Sequence, residues 1–259
     1  MQLAKRMHEQ MSSILLIVGF FLAWEVLCRM FGVSDLVLPK PSEIVVTLVK
    51  QFHGLLPHLI QTVYTTVVGF ALGLLVGDLI GGLIGTSRLA YNSAYPLLIG
   101  FSSIPKVAII PILVVWFGAG TVPAVLTSLI ICFFPIVVNV ATGLATTEPE
   151  LEDVLKALGA SKLDILWNVG LPRTMPYLFA SLKVALTVAF IGTITSETIA
   201  SNQGIGTVMM IASANFDVPL VFAGLLLVSI MGVALYAVSA LIEQKVTGWA
   251  NRKTEFAMG

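Results

Sequence analysis

Five ionisable side chains, Glu25, Asp78, Lys106, Lys183 and Glu197, fall inside long apolar stretches of the sequence. A charge so placed is costly unless it meets a partner, a freed carbonyl or a water-filled path, so each marks a position where ions or polar solutes could be handled. Lys106 follows Pro105 near the middle of one stretch, and its ammonium could receive an anionic solute. Glu197 sits in Thr193-Ile194-Thr195-Ser196-Glu197-Thr198, a polar patch near the end of another. With Trp116 and Asn139, these two are the candidates for lining a translocation path; an internal structural pair is the alternative reading. Glu25 and Lys183 lie nearer stretch ends, from which long side chains reach the interface. Asp78, beside Gly77, reads as a cap on tight helix packing.

Other chemistries find little support. His8, His53 and His58 are terminal or interfacial, and no two are four residues apart. Cys28 and Cys132 lie far apart in apolar runs, which is neither a disulfide framework nor a metal-ligand spacing, so both read as packing residues. No Gly-Lys dipeptide occurs, hence no G-x-x-x-x-G-K-[ST] phosphate loop, and ATP energy could enter only through another chain. No cofactor or metal is expected on this chain. Nucleic acid is a poor partner, because 14 Lys+Arg balance 14 Asp+Glu and no basic cluster stands out.

The elements that must position these residues are membrane helices. Of 259 residues, 57% are hydrophobic and only 11% charged, with a mean hydropathy of +0.97. A soluble domain carries about 25% charged residues. About six stretches are long enough to span a bilayer, near 12–31, 60–86, 95–117, 121–144, 174–200 and 219–243. The first carries Glu25 and Arg29 with no small-residue cleavage site after it, so it reads as a retained anchor rather than a signal peptide. Placing the N-terminus inside collects Lys5, Arg6, Arg88, Lys156, Lys162, Arg173, Lys245, Arg252 and Lys253 on one side, against Arg29, Lys40 and Lys50 on the other. This bias puts both termini and the long polar loop 146–173 in the cytoplasm. Leu38-Pro39-Lys40-Pro41-Ser42 reads as an extended turn and a Ser cap, followed to about Gln51 by a short interfacial helix; 204–215 reads similarly.

Gly69, Gly73, Gly77, Gly81 and Gly85 recur every four residues, a stripe that admits a close neighbouring helix. Because four residues overshoot a 3.6-residue turn, the stripe winds around the helix and predicts a strongly crossed partner. The alternative is a solute path along bare backbone. Pro105 and Pro111, then Pro123 and Pro135, predict kinks in the third and fourth spans, while prolines that only shape a bundle remain the alternative.

In the cytoplasmic loop, Thr147-Glu148-Pro149-Glu150 reads as a helix start. Leu151, Val154, Leu155 and Leu158 then recur at helical spacing, and Gly159 supplies a left-handed stop. Ser161 with Asp164 starts a second helix, carrying Leu163, Leu166 and Trp167 and closed by Pro172. Two apolar-faced short helices in the cytoplasm need a partner protein or the bundle's own base to cover them.

At these residues the chain resembles the signature loop of ATP-binding-cassette importer permeases. The match is Asp153-Val154-Leu155-Lys156-Ala157-Leu158-Gly159-Ala160-Ser161 followed by Val169-Gly170-Leu171-Pro172, with Asp153 where Glu is usual and Val154-Leu155 where two alanines are usual. Wider similarity to the nitrate/sulfonate/taurine-type permeases includes Trp24-Glu25, Leu38 to Ser42, Ile104-Pro105-Lys106 through Pro111, Trp116-Phe117-Gly118, Phe134-Pro135 and Glu197. The resemblance implies an all-α polytopic bundle with the MetI-like fold, in a bacterial cytoplasmic (inner) membrane. It implies an N-terminal part, 1–58, with the first span and the interfacial helix, and a permease core, 59–259. Asp153, Val154, Leu155, Ala157, Leu158, Gly159, Ala160, Leu171 and Pro172 would couple the chain to a cytoplasmic ATPase that uses ATP and Mg. A second copy of the chain and a periplasmic or lipid-tethered binding protein would complete the system. The cargo classes implied are nitrate, bicarbonate, sulfonates, aromatic acids and vitamin or pyrimidine precursors. An ion-gradient-driven secondary transporter using Asp78, Lys106 and Glu197 is the rival, although no internal repeat of the usual kind is evident. A membrane anchor that only assembles other proteins is a third reading.

Overall fold

The computed structural model describes residues 2–145, 154–155, 157–165, 167–168 and 171–255, and among them every regular element is helical. The helices are α1 (Gln2–Met30), α2 (Pro41–Gly85), α3 (Arg88–Ser102), a 3-10 turn (Lys106–Ile109), α4 (Ile110–Phe117), α5 (Thr121–Ala145), the single turn α6 (Lys162–Ile165), α7 (Leu171–Ala200), α8 (Ile205–Ala214) and α9 (Val218–Glu255). Helices satisfy their own backbone groups, which is the condition for crossing hydrocarbon. Among the described residues α2, α5, Ser181–Ala200 of α7 and Val218–Val246 of α9 are long and apolar enough to span, and α3 with the Lys106–Phe117 segment forms a bent apolar pair, a broken span or a re-entrant loop. The expected count of about six is thus not confirmed, four or five such spans being found among the described residues. Apolar side chains cover the outside, with Leu16, Leu83, Leu89, Val115 and Val233 all exposed, as a lipid-facing surface requires.

Two predicted spans take a different form. The interfacial helix expected to about Gln51 is not separate: α2 runs unbroken for 45 residues through Pro57, and the boundary expected at 58/59 falls inside it. At 1.5 Å per residue α2 is about 67 Å long, more than twice the roughly 30 Å of a hydrocarbon core. Ser42 is also not its cap, since Lys40 holds that position with no side-chain bond of its own. In the third span the expected kink is a full break. The chain turns by 76° between α3 and the segment after it, around Pro105 at the N-cap of the 3-10 turn.

The core lies between α2, α5 and α7. Cys132, Ile136, Val140 and Leu144 of α5 meet Ala185 and Ala189 of α7, with Phe70 and Leu74 of α2 packed against them. Each of the five stripe glycines faces α5. A Cβ added at Gly69 would stand 2.5 Å from Ser128 Cβ, at Gly77 2.8 Å from Ile136 Cγ2, at Gly81 2.9 Å from Val137 O and at Gly85 2.7 Å from Leu144 Cβ, while one at Gly73 would overlap Cys132 Sγ. The contacts advance four residues at a time on both helices in the same direction, so α2 and α5 run parallel. A strongly crossed neighbour would lose the stripe after a turn or two. Keeping a four-residue repeat in contact along its length instead requires the pair to wind right-handed, because the repeat exceeds 3.6 residues. A second cluster, Leu55, Ile205 and Leu227, joins α2, α8 and α9. Cys28 and Cys132 are both free and buried.

Candidate functional site

Glu197, near the end of α7, is 1% exposed. It is thus enclosed within this chain rather than open at its surface. Thr62 Oγ1 of α2 lies 2.9 Å from its Oε2, and the Gly206 N–H of α8 donates to the same oxygen at 3.1 Å. Ile205 N–H donates to Thr62 Oγ1 at 2.9 Å and Gly204 N–H to His58 Nδ1 at 3.1 Å. Thr207 Oγ1 donates to Glu197 O at 3.1 Å. α8 begins at Gly204, which has φ +115° and no side chain to cap with, so the first N–H groups of this helix are taken by side chains of α2 and α7. A carboxylate at a helix N-terminus also meets the positive end of the helix dipole.

Glu25 does the same for α2. Its Oε2 accepts from Ser42 N–H at 3.0 Å, its Oε1 from Ser42 Oγ at 2.9 Å, and Arg29 pairs with it at 2.6 Å. Rather than only reaching for the interface, Glu25 fastens α1 to the start of α2. Lys183 likewise finds a partner, Glu243 Oε2 of α9 at 2.5 Å, with side-chain exposures of 23% and 18%. Asp78 is partly buried on α2, and its Oδ1 has no hydrogen-bond partner.

Lys106 sits at the break of the third span. Its Nζ donates to Ser102 O at the end of α3 and lies 5.4 Å from the centre of the Phe134 ring. The ammonium is thus held by the negative end of a helix dipole and an aromatic face. Phe134 stands near the middle of α5, so Lys106 lies level with the middle of that helix, and among the described residues no carboxylate pairs with it. Ser102, Ser103, Ile104 and Pro105 around it are exposed on the chain's surface. Asn139 is exposed on α5, its amide donating to Pro135 O at 2.7 Å. Trp116 lies at the far end of α4, 70% exposed and in ring contact with Phe117. Lys106 and Asn139 are both carried beside or on α5; Trp116 and Glu197 lie near the C-terminal ends of their helices.

Asp153 of the expected coupling segment lies outside the described residues, as do 146–152. Val154 and Leu158 are 56% and 78% exposed. Ala160 N–H donates to Leu155 O at 3.0 Å across Gly159, whose φ is +85°. That six-to-one bond over a left-handed residue is a Schellman stop. Ala157 is exposed and Ala160 half-buried. The next turn opens with a reciprocal cap: Ser161 Oγ and N–H donate to Asp164 Oδ2 at 2.6 and 3.0 Å, and Asp164 N–H donates to Ser161 Oγ at 3.2 Å. These bonds hold the Asp164 carboxyl below the usual carboxylate range, the Ser161 hydroxyl contributing most. Trp167 is 65% exposed and Ile165 buried, so the covered residue of this turn is Ile165. Pro172 does not close the turn; with Leu171 it forms the first turn of α7, where a missing N–H costs nothing.

Sequence could not have found the capping roles. Thr62 and Glu197 are 135 residues apart, Gly204 and His58 146. The signals present were a buried-type carboxylate in a hydroxyl-rich patch and a glycine pair at 204 and 206.

Residues 69–248 match the family described as binding-protein-dependent transport system inner membrane component. The chain is 33% identical over 228 residues to the riboflavin transport system permease protein RibX of Chloroflexus aurantiacus, covering 87% of this chain and 85% of that one. It is 29% identical over 250 residues to the formylaminopyrimidine transport permease protein ThiX of Halalkalibacterium halodurans, covering 96% and 100%. The putative aliphatic sulfonates transport permease protein SsuC of Bacillus subtilis is 28% identical over 249 residues, with 95% and 90% covered. Among solved structures, a chain of the inward-facing MetNI methionine ABC transporter superposes with a TM-score of 0.66 at 20% identity, over 76% of this chain and 98% of that one.

Proposed function

The chain belongs to the family of binding-protein-dependent transport system inner membrane components, and on that premise we propose that it is the membrane-spanning permease of an ATP-driven importer. Two copies form the passage, a cytoplasmic ATPase drives it with ATP and Mg, and a binding protein delivers the solute from outside. The chain lies in a bacterial inner membrane with both termini in the cytoplasm, as the Lys and Arg bias favours.

The observation that carries this reading is the segment from Val154 to Trp167. Two short helical pieces, joined by the left-handed Gly159 and a capped Ser161, present Val154, Leu158 and Trp167 to the surroundings. Exposed apolar residues on a rigidly turned cytoplasmic segment suit the groove of a second protein. Force received there changes the relative stability of inward- and outward-open arrangements, which is the requirement for driven switching.

The cargo is a small anion or a solute with an anionic group. Lys106 supports this, being a cation beside the middle of α5 without a carboxylate partner among the described residues and set at a bend between two apolar helices on the chain's surface. Of the solutes named for the relatives, the aliphatic sulfonates are anionic, whereas riboflavin and formylaminopyrimidine carry no anionic group.

The test places a cysteine-directed crosslinker at Leu158→Cys in a cysteine-free, active background. Capture of a nucleotide-hydrolysing subunit from the native membrane is expected. Labelling of Leu158→Cys from outside intact cells, or transport driven by an ion gradient with no ATPase present, would overturn the proposal.

A further inference from the structure

α8 has nothing of its own with which to begin. Its N-cap is Gly204, and a Cβ there would fall on the Glu197 carboxyl, while a Cβ at Gly206 would stand 2.6 Å from Ile194 O and 2.8 Å from Glu197 Cβ. The two glycines therefore let α8 close onto α7 until the Glu197 carboxyl stands where a cap residue would. Three successive N–H groups are taken by three side chains, His58, Thr62 and Glu197, from two other helices. Two further bonds tie the same level together: Gln61 Nε2 to Thr121 Oγ1 at 2.9 Å and Gly120 N–H to Ala200 O at 3.1 Å. The middle of α2, the N-terminal end of α5, the C-terminal end of α7 and the start of α8 are thus bonded to one another through polar groups in an otherwise apolar bundle.

We propose that Glu197 is a positioning residue for transport: by capping α8 from α7 it makes the middle of α2, the C-terminal end of α7 and the start of α8 one body that moves as a unit when the passage switches, without itself touching the solute. The inference rests on the importer reading above. Its physical basis is the cost of leaving the first N–H groups of a helix, and the buried Glu197 Oε2 that serves them, without partners; the other carboxyl oxygen, Oε1, is buried without one already. α8 cannot tilt away from α7 without exposing both to hydrocarbon, so motion delivered along α7 reaches α8 undiminished. An amide at 197 keeps an oxygen for Gly206 N–H; a methyl does not.

The test compares wild type, Glu197→Gln and Glu197→Ala in the full transporter, reconstituted in lipid with its ATPase and binding protein. Two readouts are taken: uptake and ATP hydrolysis per assembled complex, and amide exchange at 204–208. Glu197→Gln is expected to keep uptake within about threefold of wild type, with an unchanged KM for the solute and protected amides. Glu197→Ala is expected to assemble, to exchange Gly206 at least tenfold faster, and to hydrolyse ATP with uptake down at least tenfold at unchanged KM. A changed KM or altered preference between charged and neutral solutes in Glu197→Gln would overturn the proposal by making Glu197 a solute contact. Loss of assembled complex in Glu197→Ala with normal uptake per remaining complex would overturn it by making the role one of stability alone. If Glu197→Ala does not assemble at all, Thr62→Val supplies the second variant, with the same loss of amide protection and coupling expected at unchanged KM; wild-type coupling there would refute the inference. Absence of ATP-driven uptake in wild type would instead strike the importer reading, and the exchange measurement would still decide whether Glu197 caps α8.

Discussion

Replacing Gly81 by Ala sets two effects of opposite sign against each other. Alanine is favoured over glycine inside a helix by about 0.8–1.0 kcal/mol. At Gly81, however, the new Cβ would lie 2.9 Å from both Val137 O and Val140 Cβ of α5. The first of these is backbone, so relief requires α2 and α5 to separate by about 0.5–1 Å, and a gap of that size forfeits a quarter to a half of the dispersion well at each contact it opens. The neighbouring contacts at Gly77 and Gly85 are equally tight, at 2.8 and 2.7 Å, so the loss spreads along the seam. Overpacking of this kind costs about 1–3 kcal/mol and outweighs the propensity gain. Gly82 is the internal control, because a Cβ there meets nothing within 4 Å. Thermal unfolding of the purified protein in detergent, followed by loss of the monodisperse peak, should show Gly81→Ala destabilised by several degrees at about 2–4 °C per kcal/mol. Gly82→Ala should be unchanged or slightly stabilised. Equal behaviour of the two variants would refute the account of the stripe as a close seam with α5.

Three further outcomes follow from the geometry. Lys183→Met should destabilise the protein by an amount between the roughly 0–1 kcal/mol of an exposed pair and the roughly 3–5 kcal/mol of a buried one; the swap Lys183→Glu with Glu243→Lys should recover part of it in the same unfolding assay. Asp164 is held below the usual carboxylate range in the folded segment, so its cap contributes stability above the unfolded value and loses it as pH falls through the lowered one. Protease nicking near 161–168 should accordingly rise on acidification in wild type using an acid-tolerant protease, and Asp164→Asn should flatten that dependence. Gly159→Val places a β-branched residue at φ +85°, which costs about 1–2 kcal/mol at that turn; ATP hydrolysis should persist while uptake falls, and normal coupling would remove Gly159 from the transmission of force.

The sequence shows the helices because their apolar runs are long, and it shows the glycine stripe because its period is strict. It does not show how α2 and α5 wind, since both a crossed and a coiled partner accept small residues at four-residue spacing. The continuity of α2 through Pro57 is hidden for a similar reason: Gln51, His53, Gly54 and Pro57 look like an interruption, yet a proline within a long helix costs only local bonds that the rest of the helix outweighs. Pro105 signals a bend, but its size, 76°, is a matter of packing that no residue type or spacing encodes. Glu25 and Glu197 are legible as unusual carboxylates and illegible as caps, because each serves an N–H of the next helix across a turn, 17 and 9 residues on, that no helical period links to it. Gly159 and the Ser161–Asp164 cap, whose partners are local, are legible outright.

The central claim is that ATP hydrolysed by another subunit moves solute through this chain. The direct measurement is solute accumulation in proteoliposomes holding this chain, its ATPase and the binding protein, with no ion gradient imposed. The account predicts ATP-dependent accumulation that disappears when the ATPase is omitted. Accumulation that needs no ATP, or that persists with this chain alone under a proton or sodium gradient, would contradict it.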